Sequence, residues 1–408
     1  MKKNDMDFLK NLAIKTIEDC TFLKQVFYNG RQSEEFVLLP SGDEKYLSFW
    51  VRDCAMMAES GLIPDELLEK YIKIIANHGQ NGKETVFLEN GLLVPPYAVA
   101  DHINYDGNAV YFPGTYSSGK NQGVGDFGVY PPFCDNYYYV IMVHQYIKQS
   151  GNKKILNEIC TNLTLEESVE YAFKGYNIDP ESDLCISDSE KYTVDWGFVD
   201  AIKKSGKLLM ASLLRYNAAM ALKEIFNHDS VKSEYYAKKA QKIKKNIISE
   251  FYDEKSGWLY SATGIGKQYD VWATAYAVFS GVTKEKNTLE ALYNAYVNKT
   301  AVVDGYVRHI LKNNDFSVDS AWEISRASYN KYQNGGYWAT PTGWYAYALY
   351  LYNKKTDILE DFIMHTKKYE NNGAPFEWIN ESTTENSGSN YGTSGVLPFI
   401  GMSKIMEE

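Results

Sequence analysis

The sequence has few cysteines for its length. Only 5 occur among 408 residues, at Cys20, Cys54, Cys134, Cys160 and Cys185. None of them forms the short pairs that are typical of zinc sites or disulfide-rich domains. An odd and dispersed set indicates reduced thiols, so we predict a cytoplasmic protein.

Long apolar runs are also absent. No stretch approaches the ~20 apolar residues that a membrane-spanning helix requires, and no block of lysine and arginine suits an anionic membrane surface. Residues 1–20 interleave charged and apolar side chains and lack the apolar core of a secretory signal peptide. We therefore predict no interaction with a membrane.

Positive charge is in deficit. Lysine and arginine total 42, against 52 aspartates and glutamates, which gives a formal net charge of −10. Nucleic-acid binding requires a basic surface, so we predict no nucleic-acid partner. No Walker or Rossmann fingerprint occurs, and the 6 histidines lie too far apart in sequence for a zinc motif. We expect neither a metal nor a cofactor.

Aromatic residues, by contrast, are abundant, with 34 Tyr, 18 Phe and 8 Trp. Tyrosine and tryptophan combine a flat apolar body with a polar tip, which suits contact with sugar rings. They suit a large helical core equally well, so the composition leaves both interpretations open.

Apolar residues recur at helical spacing along most of the chain. The predicted helices occur in pairs joined alternately by short and long connections, without an alternating strand pattern of any length. This pairing favours an all-α fold in which α-hairpins close into a ring. The thirteen predicted helices span residues 4–25, 49–60, 64–78, 133–150, 152–174, 206–227, 230–251, 268–281, 284–298, 317–332, 338–353, 355–370 and 391–405.

Residues 79–132 interrupt the helical pattern. A segment of this length without its own helix is uncommon in a compact domain and is usually functional. We predict that it folds into a loop that walls a pocket. Its prolines are Pro95, Pro96, Pro113, Pro131 and Pro132.

The first stretch that suggests chemistry is FWVRDCAMM, residues 49–57. Arg52 and Asp53 are adjacent at the start of an otherwise apolar helix, next to Trp50. An Arg–Asp pair can bind two neighbouring sugar hydroxyls, one by donating and the other by accepting a hydrogen bond. A buried structural salt bridge is the alternative interpretation.

The second stretch is the polar segment that leads into the helix predicted at 206–227. It contains Asp195, Trp196 and Asp200 in the sequence YTVDWGFVD. A carboxyl group can supply a proton to a leaving oxygen, and an indole face can pack on a sugar ring. A loop with solvated acids and one packing tryptophan is the alternative.

Two further stretches lie in the last quarter of the chain. The sequence YNKYQNGGYWATPTGW contains a turn signature followed by Trp338 and Trp344. In PFEWIN, Glu377 stands between an aromatic residue and Trp378. A carboxylate flanked by aromatic side chains is unusual in a solvated loop, which favours a functional role.

Taken in this order, the stretches resemble the six-hairpin, (α/α)6-barrel glycoside hydrolases. FWVRDCAMM is similar to the W-x-R-D stretch of glucoamylases, where Arg and Asp hold the terminal sugar. YNKYQNGGYWATPTGW is similar to their Y-x-N-G-x-x-W segment. PFEWIN with the following SGSNYGTSGVLP resembles the closing segment of glucoamylases and of family 63 α-glucosidases, which carries a Glu general base. YTVDWGFVD lies where these enzymes carry the general acid, and it also resembles the D-W-rich segment of α-L-rhamnosidases.

The resemblance implies a single (α/α)6-barrel catalytic domain over residues 1–408. The implied function is that of an exo-acting, inverting glycoside hydrolase that acts on an oligosaccharide or glycoside. Glu377 would be the general base and Asp195 the general acid, with Asp200 competing for the acid role. The residues expected to bind the sugar are Trp50, Arg52, Asp53, Trp196, Asp200, Trp338, Trp344 and Trp378.

Three other functions compete with this prediction. A sugar epimerase of the same barrel shape would use histidines as acid and base, and none lies in these stretches. An unsaturated uronyl hydrolase would need cations for the substrate carboxylate, a role that Arg52 and Arg215 could fill. A non-catalytic carbohydrate-binding barrel would bind sugar without turnover.

Overall fold

The computed structural model describes residues 3–28, 30–264, 267–312, 324–325, 327–328, 330–382 and 385–408. These residues contain twelve α-helices. In chain order the helices are α1 (Lys3–Asp19), α2 (Val51–Ala58), α3 (Asp65–Ile74), α4 (Cys134–Ser150), α5 (Leu165–Lys174), α6 (Leu209–Ile225), α7 (Ser230–Phe251), α8 (Val271–Phe279), α9 (Lys286–Val297), α10 (Thr342–Asn353), α11 (Asp357–Tyr369) and α12 (Gly392–Glu407).

Short strands connect the helices. In chain order they are β1 (Thr21–Tyr28), β2 (Arg31–Leu38), β3 (Phe49–Trp50), β4 (Val86–Phe87), β5 (Leu93–Val94), β6 (His102–Ile103), β7 (Ala109–Val110), β8 (Ile159–Cys160), β9 (Leu163–Thr164), β10 (Ile186–Ser187), β11 (Ile202–Lys203), β12 (Gly206–Lys207), β13 (Val302–Val303), β14 (Tyr306–Arg308), β15 (Ile324–Ser325), β16 (Tyr337–Trp338), β17 (Trp378–Ile379) and β18 (Asn386–Ser387).

Local sequence explains where several helices begin and end. At the start of α5, the Thr164 side chain accepts from the Glu167 amide, and the Glu167 carboxylate accepts from the Thr164 amide. This reciprocal capping satisfies amides that the first helical turn leaves unpaired. At the end of α4, Gly151 takes a left-handed conformation with φ of 70°, which a residue with a side chain rarely adopts.

The even-numbered helices form a closed ring. Contacts run from α2 to α4, α6, α8, α10 and α12, and from α12 back to α2. Each odd-numbered helix contacts one or more members of this ring; α1 packs on α12, and α7 packs on α6. Helix α6 is buried on nearly all sides, whereas α7 buries one stripe and exposes the rest to solvent. The even-numbered helices are therefore the inner layer and the odd-numbered helices the outer layer.

Large aromatic side chains fill the ring near its N-terminal end. The Trp196 ring lies 5.9 Å from that of Trp272 and 5.7 Å from that of Trp344, and Trp272 lies 5.7 Å from Trp338. Edge-to-face and tilted arrangements of this kind add to the stabilisation that burial provides.

The short sheets lie at the entries to the inner helices. The strand β3 directly precedes α2 and pairs with β6, which also pairs with β7. A five-stranded antiparallel sheet in the order β13-β14-β16-β17-β18 collects the segments that precede α10 and α12. These pairings fix the loops that lead into the N-termini of the ring.

Twelve of the thirteen predicted helices coincide with an observed helix, although two have wrong boundaries. The helix predicted at 4–25 ends at Asp19, and residues 21–28 form β1 instead. Phe and Val recur there at spacings of four, which imitates a helix, but Thr, Phe, Val and Tyr are also the residues that favour strands. The Asn-Gly dipeptide at 29–30, typical of hairpin turns, was the signal for β1 and β2.

The helix predicted at 152–174 begins only at Leu165. Before it lie a 3-10 turn, Lys153–Asn157, and the hairpin of β8 and β9. Within the predicted helix 317–332, the described residues 324–325, 327–328 and 330–332 contain the strand β15 and no helix, and the other residues of that range lie outside the described part of the chain. The all-α prediction is therefore correct for the two helical layers but omitted the strands between them.

No helix among the described residues is long and apolar enough to cross a membrane.

Candidate active site

A cavity of about 410 Å3 opens at the N-terminal ends of the inner helices. It combines three carboxyl groups, one arginine and eight aromatic side chains. Its lining consists of Pro40, Tyr46, Trp50, Arg52, Asp53, Pro113, Gly114, Thr115, Tyr116, Phe127, Gly197, Phe198, Asp200, Ala201, Ala327, Tyr332, Trp338, Glu377 and Tyr391.

One wall of the cavity comes from the segment 79–132, as expected from its length and composition. Residues 113–116 and Phe127 contribute to the lining. The Tyr116 ring, 46% exposed, lies at the mouth and meets the Trp50 indole edge-on at 6.2 Å between centroids. The loop therefore encloses the side of the cavity next to the start of α2.

Arg52 is held by three carboxylates. Its Nη1 lies 3.0 Å from Asp101 Oδ1 and 3.5 Å from Asp135 Oδ1, and its Nε lies 4.0 Å from Asp53 Oδ2. The guanidinium group also packs over the Phe198 ring, at 5.4 Å from the centroid. The pKa of Asp101 is lowered. Desolvation raises it, but the attraction of Arg52 and the hydrogen bonds that Asp101 accepts from His102 and Arg52 outweigh desolvation.

Gly197 makes this arrangement possible. A Cβ atom at this position would lie 1.9 Å from Arg52 Nη1, which no side chain can tolerate. The glycine in the sequence DWGF thus allows the loop before α6 to approach the guanidinium group directly.

Glu377 is buried and faces the cavity from the segment before β17. The Tyr46 hydroxyl donates to both of its carboxylate oxygens, at 3.2 Å and 3.3 Å. Desolvation by burial raises the pKa of Glu377 to about 8, while the Tyr46 hydrogen bond lowers it and the nearby Asp53 and Asp200 raise it further.

Asp200 faces the same cavity from the loop before α6. Desolvation raises its pKa to about 6, and a hydrogen bond from Gln333 opposes that rise. A third carboxyl group, Asp53, accepts a hydrogen bond from the Tyr391 hydroxyl at 3.3 Å. Burial raises the pKa of Asp53 to about 6 as well, against the attraction of Arg52.

Asp195, predicted as the general acid beside Glu377, does not belong to the cavity lining. Its Oδ2 lies 3.0 Å from Lys204 Nζ, and its Oδ1 accepts from the Ala211 amide at 2.7 Å. Lys204 also lies 3.5 Å from Asp270 Oδ2. Both carboxylate oxygens of Asp195 thus have partners outside the cavity lining, an ammonium group and a helix amide.

Three predicted tryptophans also lie outside the cavity lining. Trp196 is fully buried among the rings of Trp272 and Trp344. Trp344 is on the buried face of α10, packed on Tyr276 at 4.5 Å. Trp378 lies against Gly336, where a Cβ atom would come within 3.1 Å of the indole. All three side chains are buried and lie outside the cavity lining, so the cavity gives no support to their predicted contact with sugar.

The other predicted residues do meet in the cavity, namely Trp50, Arg52, Asp53, Asp200, Trp338 and Glu377. The sequence interpretation missed Tyr46, Phe198, Tyr332 and Tyr391, which also line it. Each lies within or just beside a stretch that was singled out, but a tyrosine or phenylalanine there was not distinguishable from a core residue.

Helix N-termini explain how so many acids are accommodated. Asp270 is the N-cap of α8 and accepts from the Ala273 amide at 2.8 Å. Similarly, Asp195 accepts from the amide of Ala211, the third residue of α6. The partial positive charge at a helix N-terminus stabilises a nearby carboxylate. Helix amides therefore stabilise these two aspartates outside the cavity lining, whereas burial raises the pKa of the three carboxyl groups that line the cavity.

Histidines lie behind the cavity rather than in it. His102 Nδ1 is 2.9 Å from Asp101 Oδ2, and the ring stacks on Trp50 at 4.3 Å. His309 Nε2 is 3.1 Å from Asp270 Oδ2, and the ring stacks on Trp272 at 4.6 Å. In the part of the chain that the structure describes, no group of three or more His, Cys, Asp and Glu side chains is arranged to hold a metal.

No protein-family model and no curated protein matches the sequence. Solved structures do match the fold. A rhamnosidase from Klebsiella oxytoca with rhamnose bound matches with a TM-score of 0.58 and 12% identity, over 99% of this chain and 65% of the rhamnosidase. A glycosidase in complex with glucose matches with a TM-score of 0.60 and 11% identity, over 100% of this chain and 99% of the glycosidase.

A sugar epimerase from a ruminal bacterium also matches, with a TM-score of 0.57 and 12% identity over 98% of each chain. At these identities the likeness concerns the fold. The chain shares the helical fold of rhamnosidases, glycosidases and a sugar epimerase, which confirms the resemblance to six-hairpin glycosidases at that level.

Proposed function

We propose that this chain is a glycoside hydrolase built on an (α/α)6 barrel, with Asp200 and Glu377 as its catalytic carboxyl groups. The observation that carries the proposal is the convergence of these two desolvated carboxyl groups in one aromatic-lined cavity. Glycoside hydrolysis needs such a pair, one to protonate the leaving oxygen and one to activate water or attack the sugar.

Glu377 acts as the general base and Asp200 as the general acid. The two hydrogen bonds that Tyr46 donates to Glu377 support this assignment, because they stabilise the ionised form that a base requires. Asp200, with a pKa raised to about 6, holds a proton over part of the neutral range. It replaces Asp195 in the acid role.

The order of the two pKa values favours a specific rival assignment. Glu377 has the higher pKa, about 8 against about 6 for Asp200, and the group with the higher pKa is the one expected to hold the proton. In that rival, Glu377 is the acid and Asp200 the base. The two assignments differ in which variant recovers on substrates whose leaving group needs no proton.

The walls of the cavity favour exo action. The loop 113–116 encloses one side, so a chain end fits the cavity more readily than a continuous polysaccharide. The aromatic faces of Trp50 and Trp338 support packing on a sugar ring, and Asp53 supports hydrogen bonding to its hydroxyls. We propose inversion at the anomeric carbon, which requires carboxyl groups roughly 6.5–9.5 Å apart.

The competing functions fit the described residues less well. An epimerase would need histidines at the sugar, yet His102 and His309 are bonded to aspartates behind the lining. A uronyl hydrolase would need a cation for the substrate carboxylate. Arg52 is held by three carboxylates, and Arg215 is bonded to Asp183 and to the Phe173 carbonyl outside the cavity.

The test is a substrate screen with the purified protein. Aryl glycosides and natural oligosaccharides of neutral sugars should release a monosaccharide, and NMR should show its first-formed anomer as the inverse of the substrate anomer. Release of unsaturated uronic acids, or epimerisation of a free sugar without hydrolysis, would replace the proposal by one of its rivals. Binding of sugars without any turnover would favour the non-catalytic barrel.

A further inference from the structure

Gln333 joins the loop that carries Asp200 to the segment before α10. Its side chain is 1% exposed and does not line the cavity. Its Nε2 donates to Asp200 Oδ1 at 2.8 Å, and its Oε1 accepts from the Ala201 amide at 2.6 Å. The same Nε2 lies 3.5 Å from the Gly197 carbonyl oxygen.

The orientation of this amide follows from chemistry. The backbone N–H of Ala201 is a donor, so the Gln333 atom that faces it must be the carbonyl oxygen. The amide nitrogen of Gln333 must then face Asp200. Asp200 Oδ1 therefore acts as an acceptor, whatever the protonation state of the carboxyl group.

The two oxygens of Asp200 consequently differ. Gln333 donates to Oδ1 of this carboxyl group, and a backbone hydrogen bond from Ala201 also lowers the pKa of Asp200. A proton placed on Oδ1 would face the N–H of Gln333 and lose that bond, so the proton resides on Oδ2.

We propose that Gln333 is a positioning residue that reserves Oδ2 of Asp200 for the proton that moves in the reaction. This inference rests on the proposed glycosidase function. In the acid role, the O–H bond at Oδ2 breaks and its electron pair stays on the carboxylate. The proton bonds to the glycosidic oxygen as the bond from that oxygen to the anomeric carbon breaks. In the rival role, the same Oδ2 takes a proton from the attacking water, so Gln333 serves either assignment.

The decisive variant is Gln333→Glu. It keeps a carbonyl-type oxygen for the Ala201 amide but replaces the N–H that bonds Asp200 by a second carboxyl oxygen, which in its charged form also repels the ionised form of Asp200. Loss of a hydrogen bond to the charged form raises the pKa of Asp200, by about one to two pH units for a bond of this type. Gln333→Met, which removes both polar contacts without adding a charge, is the second variant and covers the case in which the first does not fold.

Gln122→Glu is the matched control. Gln122 is also buried, accepts from the Tyr111 amide at 2.6 Å and donates to the Gly119 carbonyl at 2.8 Å, but it contacts no carboxylate. It therefore reports what the same substitution does to a buried amide bridge between backbone groups.

Two readouts separate this proposal from the proposed function. The pH profile of kcat/KM on an aryl glycoside should shift upward at one limb in both Gln333 variants and stay in place in Gln122→Glu. Carbon-13 NMR of aspartate carboxyl groups, with the Asp200 signal assigned by its loss in Asp200→Asn, should show the same upward shift without any need for turnover.

An unchanged Asp200 titration in the folded Gln333 variants would overturn the role of Gln333. An equal shift in Gln122→Glu would overturn it too, because the effect would then not depend on the contact with Asp200. If the unaltered protein hydrolyses no glycoside while the NMR shift is present, the proposed function fails and the hydrogen-bond assignment stands.

Discussion

Asp195 and Asp200 lie five residues apart on one loop, yet their surroundings are opposite. Asp195 is bonded to Lys204 and to the first turn of α6, with Asp270 nearby. Asp200 lines the cavity, its Oδ1 accepts a hydrogen bond from Gln333, and desolvation raises its pKa. The first carboxylate is paired with a cation and a helix amide, and the second is desolvated beside the cavity, which favours exchange of a proton.

The comparison separates an acid that is paired within the fold from one whose surroundings suit proton transfer. Both residues follow the same sequence logic of an acid near aromatic side chains. A carboxylate that receives an ammonium group and a backbone amide contributes to stability through its charge. A carboxylate left with too few partners costs stability but gains a pKa in the range where proton transfer is useful.

The largest effect is expected on turnover. Asp200→Asn and Glu377→Gln should each lower kcat by about 10²–10⁴-fold, the usual contribution of acid–base assistance. The variant that lacks the acid should recover partly on dinitrophenyl glycosides, because their leaving group needs no proton. Recovery of Asp200→Asn supports the proposed roles, whereas recovery of Glu377→Gln reverses them. Full activity of either variant on unactivated substrates would contradict the assignment of the pair.

The next largest effect is expected on the free energy of unfolding when Asp195 is substituted. Asp195→Asn leaves the buried Lys204 with a weaker set of partners, and breaking a buried ion pair costs about 3–5 kcal/mol. Urea unfolding followed by circular dichroism measures this loss. Asp200→Asn is the comparison, and it should cost little or nothing because it replaces a desolvated carboxyl group by a neutral amide. Combining Asp195→Asn with Lys204→Met should restore part of the stability, and equal losses at both aspartates would break the comparison.

A pH-dependent gain in stability is expected for Glu377→Gln. The pKa of Glu377 rises from an ordinary value of 4.5 to about 8 on folding, so between these values the folded state binds more protons than the unfolded state. The stability of the unaltered protein therefore falls as pH rises through this window. The advantage of the variant should grow by up to about 1.4 kcal/mol per pH unit and level off above pH ~8. Thermal unfolding at pH 5, 6, 7 and 8 tests this, and a constant difference would contradict it.

A smaller effect is expected for Tyr46→Phe. Loss of the hydroxyl removes two hydrogen bonds to the ionised form of Glu377, so the pKa of that group rises further. With Glu377 as base, the acidic limb of the kcat/KM profile should move to higher pH, and the rate below it should fall about tenfold. Tyr138→Phe is the control, because that buried hydroxyl has no hydrogen-bond partner among the described residues. A shift of the alkaline limb instead would support Glu377 as the acid.

The fold was largely predictable because helical periodicity is a local signal. The six inner helices are apolar over long stretches, and helical spacing alone predicts all twelve α-helices of the described residues. Phe22, Val26 and their neighbours fit both the helical and the strand period, so periodicity alone does not predict the hairpin of β1 and β2. The Asn-Gly dipeptide at 29–30 is the sequence signal that does.

The site was predictable only in part, because motifs identify a segment but not the direction of each side chain. Arg52 and Asp53 were found at the start of a helix that leads from the cavity. The choice between Asp195 and Asp200 depended on Lys204 and Gln333, whose contacts arise from the fold. From the sequence, Trp196 and Trp338 are equally plausible sugar-binding residues. In the structure, Trp196 belongs to the core and Trp338 lines the cavity.

The closed ring also has a consequence for how the molecule forms. Tyr46 and Glu377 meet across 331 residues of sequence, and α12 must contact α2 before that pair can exist. Contacts between such distant segments slow folding, because a long loop must be ordered before they are made. The cavity is therefore complete only after both segments are available to pack. A ligand that contacts both sides of the cavity would hold α2 and α12 together. Such a ligand should therefore slow unfolding of the whole ring.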